Sequence, residues 1–339
     1  MKSAVILFNL GGPDKLESVE PFLFNLFNDP AIISIPSIIR YPLAKFISKR
    51  RAPIAKNIYK EIGNKSPILE LTQKQAESLE NFLTKKGDYK CFVVMRCWHP
   101  RATEVIKKVR EYNPDEVVLL PLYPQYSAST SGSSINEWNN LCKKENYQVK
   151  TKTICCYPTE NNFVESHVKL IKKTIKNLKN NSFKLLFSAH GLPENKIKNG
   201  DPYQWQIEQT VEQIMSKLTN ENLDYTICYQ SRVGPLKWIG PSTDEIIIKY
   251  SKEKKGIVIV PVAFVSEHSE TLVELDIEYK KLAEKNGCSF YKRVPALGIE
   301  EDFIRGLSKL VLQQETRGNY VSSVICPDKY VKCPCLITK

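Results

Sequence analysis

The sequence is poor in features that define several common classes of protein. It contains no run of about 18 apolar residues, so we expect no membrane-spanning helix. The apolar part of Met1–Phe8 is too short for a signal peptide, and no small-residue cleavage site follows it. Asn9–Pro13 has paired glycines but matches neither a dinucleotide fingerprint nor a P-loop. Because no basic motif is interleaved with aromatic residues, we predict no nucleic acid partner.

The size and composition of the chain are those of a globular protein. Its 339 residues suffice for two domains of about 150 residues each. The 49 lysines and arginines outnumber the 37 aspartates and glutamates, and the net charge of +12 favours anionic partners such as lipid head groups or a polycarboxylate. Ten cysteines without an export signal predict free thiols and a cytoplasmic location.

Short apolar runs alternate with amphipathic stretches along the chain, and this alternation predicts an α/β fold with parallel, doubly wound sheets. The predicted strands form two series, Ala4–Asn9, Cys91–Arg96, Glu116–Leu122 and Val149–Cys155, then Phe183–Ser188, Tyr225–Gln230, Ile257–Phe264 and Ser289–Val294. Helical periodicity between them is clearest at Thr103–Tyr112, Phe163–Leu178, Gln204–Leu218 and Glu267–Lys285.

The repeat of the strand–helix pattern predicts two similar domains. Pro158 marks the passage from the fourth strand to the next helix, so we place the join near Cys155–Glu160. The Asn- and Lys-rich stretch Asn177–Ser182 is predicted as a loop. The predicted parts are a first domain over residues 1–156, a second over 157–318 and a tail without clear period over 319–339.

Two predicted strands each deliver a histidine at their carboxyl end. The strand Phe183–Ser188 leads to His190, and the strand Ile257–Phe264 leads to His268 between Glu267 and Glu270. Ligands of open α/β sheets bind outside the carboxyl ends of the strands. Imidazoles and carboxylates at that edge indicate a site that handles metal ions or protons.

A row of glutamates extends from this edge. Glu267, Glu270, Glu274 and Glu278 follow at helical spacing, on one face of a predicted helix. Such a row is usually a solvated stripe, but a buried row would attract a divalent cation and carry protons away. Of the other histidines, His167 is expected on the surface.

Residues 31–51, here called the lip, combine branched apolar residues with a basic end, Lys49–Arg51. Pro36 and Pro42 argue against a long core helix. An apolar segment flanked by cations suits contact with a membrane surface and with an apolar substrate. The alternative is a buried segment with a solvated basic end.

The C-terminal cysteines are spaced as metal ligands. Cys326, Cys333 and Cys335 supply three thiols, and the adjacent Cys155 and Cys156 are the natural source of a fourth. Four cysteines suit either tetrahedral zinc or a [2Fe–2S] cluster, and free thiols are the remaining alternative.

Several stretches, in order and over nearly the whole length, resemble the ferrochelatase family. They are Asn9–Pro13, Lys49–Arg51, Ser66–Ile68, Tyr123–Ser134, Ser188–Pro193, Gly200–Tyr203, Gln230–Pro241 and Val260–Tyr279. The resemblance implies two Rossmann-like domains of the chelatase type with a porphyrin in the cleft between them. It implies insertion of ferrous iron into protoporphyrin IX, the last step of haem synthesis.

The resemblance also implies residue roles. His190 and Glu270 would form the metal and proton-transfer site, with His268, Glu274 and Glu267 around it. The implied porphyrin contacts are Arg51, Tyr59, Ser66, Tyr123, Trp238, Arg96 and His99. His99 otherwise suits a structural role equally well, and Cys97 stands where animal members commonly have a tyrosine, so this part of the pocket differs from theirs.

For the cysteines, the resemblance favours a [2Fe–2S] cluster held by Cys326, Cys333, Cys335 and one of Cys155 and Cys156. Ala128 stands where animal members have a cysteine, so the animal ligand set cannot be transferred. Other activities stay open: a chelatase for coproporphyrin III or for cobalt, or a haem or metal carrier without turnover. The apolar lip favours protoporphyrin over a more acidic porphyrin.

Overall fold

The computed structural model describes residues 1–178, 182–221, 223–232, 234, 236–313 and 315–337, so residues 179–181 of the predicted loop lie outside the described part. The chain divides into two compact units. Unit 1 comprises Met1–Cys156 and Leu307–Ser322, and unit 2 comprises Tyr157–Gly306 and Ser323–Ile337. No helix among the described residues is long and apolar enough to cross a bilayer.

Strands and helices alternate as the sequence predicts. The strands are β1 (Lys2–Asn9), β2 (Asp88–Met95), β3 (Glu116–Pro121), β4 (Lys150–Cys156), β5 (Phe183–His190), β6 (Tyr225–Gln230), β7 (Gly256–Pro261), β8 (Tyr291–Arg293) and β9 (Tyr320–Ser322). The α-helices are α1 (Val19–Phe27), α2 (Ser37–Lys60), α3 (Ile68–Leu83), α4 (Ala102–Tyr112), α5 (Ser131–Lys144), α6 (Asn161–Ile175), α7 (Glu194–Lys198), α8 (Tyr203–Ser216), α9 (Thr243–Lys252), α10 (Tyr279–Lys285), α11 (Glu301–Leu312) and α12 (Pro334–Ile337). Glu270–Glu278 is a π-helix, and Leu16–Ser18 and Thr219–Glu221 are short 3₁₀ turns.

Unit 1 is built on a five-stranded parallel sheet in the order β2-β1-β3-β4-β9. Its central strands β1 and β3 are almost wholly buried, which explains their uninterrupted apolar sequences. Ile6 and Phe8 of β1 pack with Ile106 of α4 and Trp138 of α5 in one core cluster. Amphipathic helices thus cover the sheet, as the alternating pattern predicts.

Unit 2 repeats this order in a four-stranded parallel sheet, β6-β5-β7-β8. Leu186 of β5 and Ile259 of β7 share a buried cluster with Ile247 of α9 and with Leu275. The first strand in sequence lies inside each sheet. The second strand is therefore added on one side of the first and the third on the other, so the strand order reverses beside β1 in unit 1 and beside β5 in unit 2. Such a reversal is where open sheets bind ligands.

The strand β9 is absent from the sequence prediction. Tyr320 and Val321 pair with Thr153 and Ile154 of β4, within the segment that shows no clear period. Lys152 of β4 donates to the carbonyls of Val311 and Gln313, at 2.6 and 2.9 Å, and so caps the end of α11. A three-residue strand is too short to give an alternating pattern.

The lip corrects one expectation. Residues from Ser37 onward form the 24-residue helix α2, although Pro42 and Pro53 lie inside it. Each proline removes one intrahelical donor, but water can reach the freed carbonyls of an exposed helix. Ile38 is 83% exposed, and Tyr41 and Phe46 are exposed too. The prolines therefore do not prevent a long helix, but most of α2 lies outside the core, as the sequence predicts.

His167 is also corrected: it is buried, not on the surface. It is 1% exposed and packs edge-to-face on Phe163, with ring centroids 4.9 Å apart. Neither ring nitrogen has a hydrogen-bond partner among the residues that the structure describes. Burial lowers the pKa of His167 to about 3. The helix α6 is buried on more than one face, so a mid-helix position does not imply solvent.

We expect His167 to make the protein acid-sensitive. The imidazole has a pKa of about 3 when folded and about 6.5 when unfolded, so stability is lost as the pH falls from about 6.5 toward about 3. Between about pH 7 and about pH 5 the loss is about 2 kcal/mol. The free energy of unfolding is measured by urea unfolding followed by circular dichroism at both pH values. Between them, a His167→Leu variant should lose about 2 kcal/mol less of this free energy than wild type does. His99→Gln, at an exposed imidazole, is the control, and equal pH dependence of wild type and His167→Leu would contradict the expectation.

Candidate metal and proton-transfer site

The predicted residues of unit 2 lie where the strand order of its sheet reverses. β5 ends at His190, and β7 leads through a short loop to His268 and the π-helix that begins at Glu270. These two strands are neighbours in the sheet. The structure therefore brings together the two strand ends that carry histidines.

His190 and Glu270 are in direct contact. His190 Nδ1 lies 2.9 Å from Glu270 Oε2, and because a carboxylate only accepts, Nδ1 carries the hydrogen. His268 Nε2 lies 3.8 Å from the same oxygen, and His268 Nδ1 donates to the carbonyl of Ser266 at 3.1 Å. The His190 and Glu270 side chains stay 37% and 28% exposed, so a ligand can reach the pair.

The contact between His190 and Glu270 favours the charged forms of both, an imidazolium and a carboxylate. Burial would lower the pKa of His190, but the Glu270 charge outweighs it and raises that pKa. Burial would likewise raise the pKa of the Glu270 carboxyl, but His190 and His268 together hold it well below its usual range. Glu270 therefore stays an anion, and His190 takes up a proton more readily than a free histidine does.

Glu274 has a different environment. Its Oε1 accepts from the Ser231 amide at 2.9 Å and from the Tyr279 hydroxyl at 3.0 Å. Its Oε2 accepts from Gln230 Nε2 at 2.9 Å and from the Ser231 hydroxyl at 2.5 Å. Burial and the nearby Glu270 charge raise the pKa of Glu274. Two carboxyls whose pKa values are moved in opposite directions are typical of an acid–base site.

The segment that carries both glutamates is the π-helix Glu270–Glu278, followed by α10, where the sequence predicts one α-helix over Glu267–Lys285. At its end, the Tyr279 amide donates to the Glu274 carbonyl, five residues back. π-Helices are rare and often occur at functional sites.

The row of four glutamates is divided by its surroundings. Glu270 and Glu274 form its half-buried part. Glu267 instead contacts Arg293, with its Oε1 2.8 Å from Nη1, and accepts from the Ala296 amide at 3.0 Å. Glu278 is exposed, so the solvated interpretation applies there.

The sequence analysis missed the residues that hold Glu274. Gln230 accepts a hydrogen bond from the Ser188 hydroxyl at 2.7 Å while it donates to Glu274, so β5 and β6 both fix the carboxylate. Gln230 and Ser231 lie inside the motif Gln230–Pro241, but neutral donors carry no charge pattern that would single them out.

Trp238 is attached to the segment that follows His190. Pro193 and Trp238 form an antiparallel bridge, and the Ile239 amide donates to the Leu192 carbonyl at 2.9 Å. A Cβ at Gly191 would stand 3.3 Å from the Trp238 ring, so glycine permits this approach. Residues 233 and 235 of the same motif lie outside the described part of the chain.

Six of the seven predicted porphyrin contacts lie in unit 1. Arg51 and Tyr59 belong to α2, where Arg51 is half-buried and Tyr59 is buried in the cluster with α1. Ser66 is buried against Gly12, where an added Cβ would stand 2.5 Å from the Ser66 hydroxyl oxygen. Tyr123 follows β3, and burial raises the pKa of its phenol.

Arg96 and His99 both have acidic partners. Arg96 is nearly buried, with guanidinium nitrogens 3.0 Å from Asp29 and 3.1 Å from Glu137. Its charge is therefore matched within unit 1, by two acids that the sequence analysis did not single out. His99 is largely exposed and lies 2.6 Å from Glu104.

The three C-terminal cysteines lie in unit 2 and are buried. Cys326 Sγ accepts a hydrogen bond from Gln206 Nε2 at 3.2 Å. The sulfur atoms of Cys333 and Cys335 lie within 4.8 Å of each other, at the start of α12.

Cys155 and Cys156 end β4 in unit 1, and both are buried. Consecutive residues of a strand point to opposite faces of the sheet. Cys156 Sγ lies 3.1 Å from the Ser322 hydroxyl of β9, so it has a hydroxyl partner on its own face.

Comparison with known proteins gives consistent results. The ferrochelatase family profile matches residues 2–315. The ferrochelatase of Pelagibacter ubique strain HTCC1062 is 64% identical over 343 residues, covering 99% of each chain. That of Rickettsia felis is 49% identical over 343 residues, covering 99% of this chain and 98% of the relative. That of Caulobacter vibrioides strain NA1000 is 49% identical over 342 residues, covering 98% and 97%.

Two solved structures share the fold. SirB from Bacillus subtilis with Fe³⁺ aligns with a TM-score of 0.52 at 12% identity, covering 92% of this chain and 95% of SirB. The sirohydrochlorin chelatase SirB of subspecies spizizenii in complex with cobalt gives 0.50 at 10% identity, covering 91% and 92%. At such identities the likeness concerns the fold alone, and it agrees with the predicted α/β chelatase architecture. The family profile spans most of the residues and the curated relatives align over almost their full length, so the chain belongs to the ferrochelatase family.

Proposed function

We propose that the chain inserts ferrous iron into protoporphyrin IX, giving protohaem and releasing two protons. The observation that carries the proposal is the contact of His190 with Glu270, beside a second carboxyl, Glu274, whose pKa is raised. Family membership supplies the reaction class, insertion of a metal into a porphyrin. The roles of the individual residues are inferred from their geometry.

His190 is the proposed acceptor of the pyrrole protons. Its Nδ1–H donates to Glu270, so in the neutral ring Nε2 keeps its lone pair. When Nε2 takes a proton, the imidazolium is stabilised by the Glu270 anion in contact with it. Glu270 is also the oxygen ligand best suited to an incoming ferrous ion, because it stays ionised.

Glu274 is the proposed next acceptor of the released protons, after His190. Its pKa is raised, so it binds a proton that the Glu270 anion would not hold. Glu278, four residues further and exposed, offers a carboxylate in solvent. Glu270, Glu274 and Glu278 thus suit proton transfer from the site to solvent. His268 is proposed to hold the Glu270 carboxylate in place.

Porphyrin binding is proposed for Arg51, Tyr59, Ser66, Tyr123 and Trp238, at positions carried over from the family, with Arg96 and His99 beside them. Arg51 suits a propionate group, because a guanidinium can bind a carboxylate through two hydrogen bonds. Arg96 is already paired with two acids. We therefore propose that it mainly holds the loop after β2 in place and contributes less to binding a propionate.

We expect His190→Ala to lose about 10²-fold or more in turnover, because no general base would replace the imidazole. The measurement is anaerobic conversion of protoporphyrin IX to haem, with coproporphyrin III and cobalt as alternative substrates. Lys217→Met, which removes an ion pair with Glu165 away from the site, is the control. Unchanged turnover in His190→Ala would contradict its assignment, and stoichiometric binding without turnover by wild type would indicate a carrier.

A [2Fe–2S] cluster on Cys326, Cys333, Cys335 and one of Cys155 and Cys156 is proposed as a resident group. The fit is supported by buried thiols, by the closeness of two sulfur atoms and by an amide donor to the third. Either Cys155 or Cys156, the two buried thiols at the end of β4, would supply the fourth thiolate. The cluster would hold the C-terminal segment in place, and cysteines that form no disulfide suit a reducing cytoplasm.

Anaerobically purified protein should therefore contain iron and acid-labile sulfide in equal amounts, with the visible absorption of a cluster. Cys333→Ser should lose this absorption, and so should one of Cys155→Ser and Cys156→Ser, whereas Cys288→Ser, at a thiol outside the set, should keep it. Protein that contains zinc, or no metal, would refute the cluster.

We also propose that α2 contacts a membrane surface. Its exposed apolar side chains, Ile38, Tyr41 and Phe46 among them, share the helix with the basic residues Lys49, Arg50 and Arg51. Apolar residues that enter the interface and cations that attract anionic lipids act together in such helices.

An Ile38→Ser/Phe46→Ser variant should bind anionic phosphatidylglycerol vesicles about tenfold or more weakly than wild type, since two large apolar side chains no longer leave water. Co-sedimentation with these vesicles and with neutral phosphatidylcholine measures the effect. Ile299→Ser, at an exposed apolar residue of unit 2, is the control. If the double variant and wild type sediment alike, α2 does not contact the membrane.

A further inference from the structure

An arginine of the edge strand β8 bonds both ends of the segment that carries the site residues. Arg293 Nη1 lies 2.8 Å from Glu267 Oε1, immediately before His268 in the sequence. Arg293 Nε and Nη2 each lie 2.7 Å from one oxygen of Asp276, which follows Glu274 by two residues. One guanidinium therefore bridges two carboxylates on either side of Glu270 and Glu274.

A second residue of β8 bonds the same segment. The Tyr291 hydroxyl donates to the backbone carbonyl of Leu275, inside the π-helix, at 2.7 Å. Side chains two residues apart on a strand share a face, so Tyr291 and Arg293 act from one side of β8. β8 is itself fixed by parallel pairing with β7.

We propose that Arg293 is a positioning residue for the reaction, and that by joining Glu267 to Asp276 it holds the π-helix in the register that sets Glu270 against His190 and Glu274 against Gln230. The inference rests on the proposed function of these glutamates. Arg293 touches neither His190 nor Glu270 through any hydrogen bond or ion pair described for it, so it acts through the segment and not on the reactants.

The π-helix needs such an external restraint. Regular α-helical hydrogen bonding is the common alternative for the same residues, and π-turns occur mostly as single interruptions of α-helices. Relaxation toward the α-helix would rotate Glu274 about the helix axis relative to Glu270, and both contacts could then not be made together. The Leu275 carbonyl, bonded by Tyr291, is one of the backbone groups that such a relaxation would rearrange.

The geometry of the bridge suits arginine specifically. A planar guanidinium can bond one carboxylate with two parallel hydrogen bonds and still reach a second. The side chain is 11% exposed, so the ion pairs are poorly screened by solvent. Without Arg293, Glu267 and Asp276 would lose the cation they share, and the two ends of the segment would no longer be joined.

The test compares Arg293→Met, Arg293→Lys and the control Lys217→Met, each in the full-length chain. Three quantities are measured: turnover with protoporphyrin IX and Fe²⁺, the Kd for protoporphyrin from fluorescence quenching, and amide hydrogen exchange of a peptide covering residues 267–279. We expect Arg293→Met to lose about tenfold to 10²-fold in kcat, as a misplacement of about 1 Å does, with Kd changed less than about twofold. Exchange should rise in residues 267–279 but not in β5.

Arg293→Lys should recover only part of the loss, because an ammonium cannot bond both carboxylates in the same way. Arg293→Met/Asp276→Asn should be no slower than Arg293→Met, because the two residues act as one unit. Additive losses in this pair, or an unchanged kcat with unchanged exchange in Arg293→Met, would overturn the proposal.

Two further outcomes are decisive. If Arg293→Met unfolds, Tyr291→Phe is measured in its place. A rise in amide exchange of residues 267–279 without a fall in kcat in that variant refutes the positioning role. If wild type shows no turnover, the proposed function fails, while the exchange data on Arg293→Met still decide whether β8 holds the π-helix.

Discussion

The arrangement of unit 2 depends on one partly buried anion, the carboxylate of Glu270. Burial penalises its charge, and the penalty is offset by contact with His190 and proximity to His268. The same charge raises the pKa of His190 and, with burial, that of Glu274. A single ionised group thus raises the pKa values of two neighbours, and any movement of it would change both together.

The groups around this anion are held by elements on several sides. β5 and β6 supply Ser188 and Gln230, which fix Glu274, while the loop after β7 supplies His268. In unit 1, Arg96 contacts Asp29 and Glu137, and Arg101 Nη2 lies 2.7 Å from the same Glu137 carboxylate. Two cations there face two anions, whereas Glu270 faces two imidazoles.

Much of this organisation is predictable from the sequence, for physical reasons. Buried parallel strands are apolar along their whole length, so all eight predicted strands are found close to their expected bounds. The carboxyl ends of neighbouring parallel strands lie at the same edge of a sheet, so the sequence alone predicts that His190 and His268 lie near each other. The residues carried over from the family for the porphyrin and for the cluster remain predictions.

Other features have no local sequence signal. The π-helix has the same residue pattern as an α-helix, because a step of four residues returns to nearly the same face in either. His167 is buried because α6 is covered on more than one face, and β9 is too short to show a period. Arg293 is one of many basic residues in a chain of net charge +12, and its role is visible only from what it bridges.

The repeated strand order has a consequence for how such a protein can change. The strand order reverses beside the first strand of each unit, but the segments there differ in kind. Asn9–Pro13 after β1 contains no ionisable side chain, whereas the chain after β5 and β7 is rich in them. In the proposed reaction, the residues that bind and release protons all belong to unit 2, so loops of unit 1 can diverge in shape without changing them. Selection on those residues and selection on the shape of unit 1 would then act on different copies of one architecture.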